Sequence, residues 1–399
     1  MGWVTDHPPS AAGLNACVQC GLCNPHCPTF RLTGREDASP RGRLSAMSAV
    51  AGGVAPMDAT FAAMLDFCLG CRACEAACPS LVPYGELLEA ARAEVEATRP
   101  RRSVGALVWG KAVAARPVLW GLSVGLRVAQ AVGFADRLPG PGVQARGVRP
   151  LGGRPPSRRG EVFEPDGEVV STVGLLVGCV MDEWFRPVHE ATIGVLLLAG
   201  HRVVVPADQV CCGALAAHAG ARDDAARLAD RNLDAFAAVD VVVANAAGCG
   251  AHLKGYDHLV GRGLPTADVH ELIAAALDED RLGVVAPDGT VVGVQDPCHL
   301  RHGQRITAEP RRVVAAAGHT PVDIDPSGMC CGAAGSWAVS HPEQAAALGR
   351  RKAEEVAAAG VDVVASANPG CEMQLRQHLE SVRVAHPVEL YWEAVRGRC

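Results

Sequence analysis

Eight cysteines near the start of the chain are spaced for metal chemistry. Cys17, Cys20, Cys23 and Cys27 precede Pro28, and Cys68, Cys71, Cys74 and Cys78 precede Pro79, so each set reads C-x2-C-x2-C-x3-C-P. The two-residue gaps let three thiolates converge on one face of a cubane. The fourth, three residues on and followed by proline, points away, and in two-cluster proteins it serves the other cluster. The spacing predicts two [4Fe–4S] clusters with crossed ligation: Cys17, Cys20, Cys23 and Cys78 for the first, and Cys68, Cys71, Cys74 and Cys27 for the second. Zinc also takes C-x2-C pairs, but it needs four ligands per site and no crossed third gap ending in proline.

A second group of cysteines is duplicated. Cys179, Cys211, Cys212 and Cys249 are matched by Cys298, Cys330, Cys331 and Cys371, offset by 119 residues at the first three and 122 at the last. Each adjacent pair is followed by glycine, Gly213 and Gly332, which leaves the backbone room to turn both sulfurs inward. Adjacent cysteines seldom pair with each other, because that disulfide is strained. Soft thiolates in fours favour iron–sulfur or zinc, so all eight are candidate additional metal ligands. The alternative is buried structural cysteines in two relic sites. His252 stands three residues after Cys249, and Gln374 three after Cys371. His252 could ligate through a ring nitrogen or be a satisfied polar group. Asp296, His299 and His302 flank Cys298 and could hydrogen-bond cluster sulfurs, carry protons or cap the next helix. The last residue, Cys399, carries no expected role.

These residues need elements to hold them. Between the N-terminal sets, Ser39-Pro40 is a cap followed by a first-turn proline. Leu44, Met47 and Val50, then Phe61, Met64 and Leu65, recur at helical spacing. A further helix from about Gly85 to Thr98 closes an α-helical, di-cluster module. Residues 104–134 are apolar but interrupted by Lys111, Arg116 and Arg127. They predict helices that cover the chain's own core, or an amphipathic surface for membrane or partner. Residues 136–160, rich in proline, glycine and arginine, predict an extended, mobile linker. Beyond it, apolar runs such as 174–178, 241–245, 291–295 and 363–367 alternate with helical stretches (186–199, 343–359). That alternation predicts βα units and parallel sheets, with every cysteine at or just past a strand end. In open α/β sheets that is where ligands bind. The fold class is therefore mixed: an N-terminal α-helical di-cluster ferredoxin module, then two duplicated α/β domains packed about a pseudo-twofold axis. The expected division is 1–100, 101–165, 166–285 and 286–399.

Bulk properties narrow the function. The 399 residues carry a net charge of -6, which does not suggest a nucleic-acid binder. The count of 17 cysteines is odd and clustered in metal-type motifs, which favours reduced thiolates in a reducing compartment. No secretory signal and no run of about 18 uncharged apolar residues is seen. No G-x-G-x-x-G after a strand, no P-loop and no nucleophile–base pair is present, so no catalytic residue is assigned.

The whole pattern resembles the iron–sulfur subunit of glycolate oxidase, also called glycolate dehydrogenase. The resemblance is carried by the two N-terminal motifs, by Ser39-Pro40-Arg41-Gly42-Arg43, and by Cys211-Cys212-Gly213-Ala214-Leu215. Asp296-Pro297-Cys298-His299-Leu300-Arg301-His302-Gly303-Gln304 and Cys330-Cys331-Gly332-Ala333-Ala334-Gly335 complete it. The architecture is also similar to the third subunit of anaerobic glycerol-3-phosphate dehydrogenase and to heterodisulfide reductases, where each repeat ends in C-x-x-C. Here His252 and Gln374 replace that last cysteine, which argues against non-cubane clusters and disulfide reduction. The resemblance implies flavin-bearing partner subunits, with FAD on them alone, that oxidise glycolate to glyoxylate. This chain would pass the electrons toward a membrane quinone. It implies a cytoplasmic protein, peripheral to the inner membrane if quinone is the acceptor. Glycerol-3-phosphate or lactate versions are the near alternatives. A cluster-based redox sensor or scaffold is the alternative of another class, but it would need a basic recognition helix, and none is present.

Overall fold

The computed structural model describes residues 2–98, 114–138 and 146–397. Up to Thr98 it is helical, as the periodicity requires. Ser39 accepts the Gly42 N–H (2.9 Å) and Pro40 takes the first position of the helix Pro40–Ala51. Asp58 caps Ala59–Asp66 in the same way, and Tyr84–Thr98 closes the module. Met47, Val50, Leu65, Leu87, Leu88 and Ala91 form its core, with Cys68 and Cys74 packed among them.

The first repeat is a sheet of β1 (Val162–Phe163), β2 (Ser171–Leu176), β3 (His201–Val204), β4 (Val241–Ala244) and β5 (Thr266–Asp268). Their order is β1-β3-β2-β4-β5, parallel except for β1 on the edge. The second repeat has β6 (Val291–Gln295), β7 (Thr320–Asp323), β8 (Val363–Ser366) and β9 (Arg383–Ala385), all parallel, in the order β7-β6-β8-β9. The duplication read from the cysteines thus extends to the topology. It extends to single residues as well. Gly174 in β2 faces Val204 and Val242, and Gly293 in β6 faces Val322 and Val364. A Cβ at Gly174 would lie 2.6 Å from the Phe236 ring, and one at Gly293 would lie 2.5 Å from Ile324. Both positions stay glycine because a buried side chain already fills the space above the central strand.

The two repeats share one helical layer. Arg186–Leu198 packs on Pro387–Arg396, and Val269–Asp278 packs on Ala308–Ala316, each pair taking one helix from either repeat. Both contacts are reciprocal, as a twofold relation demands. Val195, Ile273, Val313, Val388 and Tyr391 are buried there. Gly194 permits the closest approach, since a Cβ would meet the Trp392 ring at 2.4 Å.

Two expectations need revision. Of the apolar stretch 104–134, residues 104–113 lie outside the described residues. The remainder forms the helix Arg116–Ala131, and it does two things at once. Leu119, Ser123 and Leu126 are buried, with Ser123 accepting from Trp184 Nε1 (2.8 Å), while Val118, Trp120, Leu122, Val124 and Val128 are exposed. The linker, where described, is not a mobile tether. Arg149 holds Glu389 (2.5 and 2.7 Å), Arg154 holds Glu183 (2.6 Å), Arg158 holds Glu190 (2.6 Å) and Arg159 holds Asp182 (2.6 Å). Composition reads proline and glycine as freedom, but guanidinium forks that find buried carboxylates pin such a segment down.

Candidate metal centres

In both N-terminal sets the chain between the first three cysteines makes the same turn. Gln19 and Gly21 in the first, and Gly70 and Arg72 in the second, have positive φ (58°, 79°, 67° and 62°). Alternating left-handed residues turn successive N–H groups toward one side, a cradle suited to an anion. Gly70 N–H points at Cys68 Sγ (3.4 Å), and the Gln19 side-chain Nε2 donates to Cys17 Sγ (3.6 Å). Cys17, Cys20, Cys23 and Cys78 line one small pocket. Cys27 lies instead within electrostatic reach of Cys71 and Cys74.

The surroundings of the second set are charged in a way the spacing did not foretell. Burial pushes the Cys71 and Cys74 thiols up. Burial would do the same to Cys68, yet Arg43 and Arg92 beside it hold that thiol below its ordinary value. Arg43 is wholly buried and donates to the carbonyls of Met64 (2.7 Å) and Ala38 (2.9 Å). Arg92 donates to the carbonyls of Leu65 (2.8 Å) and Cys68 (2.7 Å). At the first set, desolvation pushes Cys23 up to about 11. Thiols so crowded and dry resist ionisation on their own, and a polycationic group among them reverses that. The donor set and its cradles fit iron–sulfur groups.

The repeat cysteines sit where the topology predicts. Cys179, Cys211–Cys212 and Cys249 follow β2, β3 and β4, and Cys298, Cys330–Cys331 and Cys371 follow β6, β7 and β8. Cys179 and Cys211 sulfurs are 3.4 Å apart, and those of Cys331 and Cys371 are 3.3 Å apart. Gly213 and Gly332 are left-handed (φ +92° and +90°), and a Cβ on Gly332 would lie 2.8 Å from the Ala345 carbonyl. All eight of these cysteines, together with Cys68, line one cavity of about 970 Å³. Cys71 of the helical module packs against Cys330 and Cys298. The sequence showed two separate sites; the fold faces them across one chamber.

The polar residues around Cys298 serve the framework. Asp296 pairs with Arg311 (2.9 and 3.0 Å) and Arg301 (3.3 Å); His299 Nε2 meets the Gly70 carbonyl (3.1 Å) and His302 Nε2 the Gly328 carbonyl (3.1 Å). No hydrogen bond from them to a cysteine sulfur is found among the described residues. Desolvation holds His299 down to about 3 and His252 to about 4. At the seam of the three modules His218 bonds Glu89 (2.7 Å) and packs its ring 5.2 Å from that of His299. Sequence reasoning missed this cluster, and also Lys352, buried with Asp325 and Glu355 (2.8 Å) near Cys331. A lone lysine in a helical stretch carries no signal of burial.

Residues 13–82 match the family model described as a 4Fe-4S dicluster domain, and residues 173–254 and 292–376 each match that of the cysteine-rich domain. The fold and its cysteine sets thus define an iron–sulfur protein with a duplicated cysteine-rich domain. The chain is 34% identical to the probable glycolate oxidase iron-sulfur subunit of Bacillus subtilis, over 95% of this chain and 93% of that protein. It is 30% identical to the glycolate oxidase iron-sulfur subunit of Escherichia coli, over 96% and 94% respectively. Lactate utilization protein A of an Exiguobacterium species is 27% identical, over 56% of this chain and 98% of that protein. The chain belongs to the family of glycolate oxidase iron–sulfur subunits.

Proposed function

We propose that this chain is the electron-transfer subunit of a glycolate dehydrogenase complex. It takes electrons from a flavin-bearing partner that oxidises glycolate to glyoxylate, and delivers them toward a quinone. Iron–sulfur clusters, when bound, supply one-electron carriage. Cys17, Cys20, Cys23 and Cys78 would hold one [4Fe–4S] cluster, and Cys27, Cys68, Cys71 and Cys74 the other. Cys179, Cys211, Cys212 and Cys249, and Cys298, Cys330, Cys331 and Cys371, would hold further iron–sulfur groups. The working division remains 1–100, 101–165, 166–285 and 286–399.

One observation carries this: the four cysteine sets are contiguous. Cys74 lines the pocket of the first set, Cys71 packs on Cys330 and Cys298, and the two repeat sets share a chamber. Each neighbouring pair of sets is in contact, and the polypeptide's part is to fix spacing, dryness and local charge. The lactate and glycerol-3-phosphate alternatives keep the same path and differ only in the partner. The lactate relative matches little more than half of this chain, so glycolate is preferred.

No helix among the described residues is long and apolar enough to cross a membrane. Contact with the cytoplasmic face of the inner membrane would instead use the exposed apolar residues of Arg116–Ala131, with Arg116 and Arg127 beside anionic headgroups. The test is reconstitution. The chain is purified without oxygen, mixed with the flavin subunits, and followed by stopped-flow flavin reduction beside turnover with a quinone. Quinone turnover should require both components. Flavin reoxidised by quinone at the same rate without this chain would refute the assignment.

A further inference from the structure

The two repeats differ at the position three residues after their last cysteine. In the second, Gln374 turns away: its amide donates to the Ala345 carbonyl (2.8 Å). In the first, His252 Nε2 is buried without a hydrogen-bond partner. That nitrogen lies at the Cys-Cys-Gly turn, 3.3 Å from where a Cβ on Gly213 would stand. Its neighbours are engaged elsewhere. Tyr256, edge-on to the imidazole at 5.5 Å, gives its hydroxyl to the Cys212 carbonyl (2.7 Å), and His218 bonds Glu89. Gly213 leaves open the space beside the ring that a Cβ there would fill.

Leaving a buried nitrogen unpaired is unfavourable, so such an atom calls for a partner. A neutral imidazole lone pair within electrostatic reach of Cys211 is a good donor to iron. We propose that His252 Nε2 is a fifth protein donor to the iron–sulfur group of Cys179, Cys211, Cys212 and Cys249. The matching group of the second repeat has thiolate donors alone. The duplicated sites are thus chemically unequal. This rests on the first repeat's cysteines holding such a group, and the experiment separates the two claims.

The full-length chain is purified without oxygen after growth on ordinary or 15N-labelled histidine, with Cys331→Ser included to silence the second repeat. Iron analysis of Cys212→Ser comes first. Unchanged iron there means the first repeat holds no group, and the cysteine assignment falls together with the His252 role. If iron drops, pulsed electron paramagnetic resonance of the first-repeat signal decides. A nitrogen coupling that changes with 15N-histidine, disappears in His252→Ala and persists in Gln374→Ala is the expected result. His252→Cys should keep the iron and lose the coupling, which separates ligation from folding. A first-repeat signal with no histidine coupling, or a coupling that survives His252→Ala, overturns the donor role and leaves the cysteine assignment standing.

Discussion

At the scale of single residues, the chain's chemistry is a matter of thiols kept dry and charges placed beside them. Each N-terminal cubane would need all four of its thiolates. Cys20→Ser should therefore remove roughly half of the iron of the N-terminal module, about four of eight atoms, and bleach one cluster signal. Unchanged iron on analysis, with an unchanged spectrum, would count against the ligand set. Buried histidines set a pH limit. His386 caps the helix Pro387–Arg396 by accepting the Val388 N–H on one nitrogen (3.2 Å), while the other meets the Asn245 carbonyl of the first repeat (3.0 Å). Burial, with His270 stacked beside it, holds His386 down to about 3 against an ordinary 6.5. Above 6.5 neither state binds the proton. Below it the unfolded chain does and the folded chain does not, so stability falls with falling pH by about 1.4 kcal/mol per unit. Melting temperature should drop from pH 7 to pH 5.5. In His386→Asn, which keeps a capping side chain, the slope should be smaller.

At the scale of elements, strand ends bring the thiols together and glycine lets them turn. Gly332→Ala forces a left-handed residue to carry a Cβ against the Ala345 carbonyl and Leu348 Cβ (2.8 and 2.9 Å). The expected outcome is a folded chain whose second repeat loses its iron while the N-terminal signals persist. The arginine-rich segment before β1 acts as a clasp. Arg159 is nearly buried, pairs with Asp182 and also donates to the Gln209 carbonyl (2.7 Å). Arg159→Ala removes a charged hydrogen bond from a buried carboxylate that keeps the Ser157 hydroxyl (2.7 Å) and Arg186 at 3.9 Å, and should cost about 2 kcal/mol, read as a lower denaturation midpoint. A midpoint within experimental error of the parent would mean the segment is a tether after all.

At the scale of the whole molecule, the modules are interlocked. Arg92 reaches the His218 carbonyl (2.9 Å), Trp337 Nε1 reaches the Phe67 carbonyl (3.2 Å), and a Cβ on Gly220 would collide with the Arg92 backbone. Removing the N-terminal module would expose the chamber, so single cysteine variants are the cleaner probe of electron delivery. The chain alone should not turn over glycolate in the absence of flavin, because the proposed assignment puts the flavin and the substrate chemistry on a partner subunit. Robust glyoxylate formation by the isolated chain, measured without flavin, would refute the electron-transfer assignment.

What the sequence determined by itself was local or periodic. The eight N-terminal cysteines, the cap at Ser39, the duplication at 119 residues and the βα alternation were legible because spacing and hydrophobic period act over a few residues. The left-handed Gly213 and Gly332 were legible for the same reason. Tertiary structure decided the rest. Arg43 and Arg92 beside Cys68, Lys352 beside Asp325, and Glu89 against His218 are meetings across many residues, and no spacing encodes them. Arginines 149 to 159 looked like linker charge until buried carboxylates of both repeats received them. The two cysteine sets of the repeats became one chamber only because paired helices from each repeat bury a common apolar layer. That burial depends on three-dimensional packing, which a one-dimensional pattern can permit but not specify.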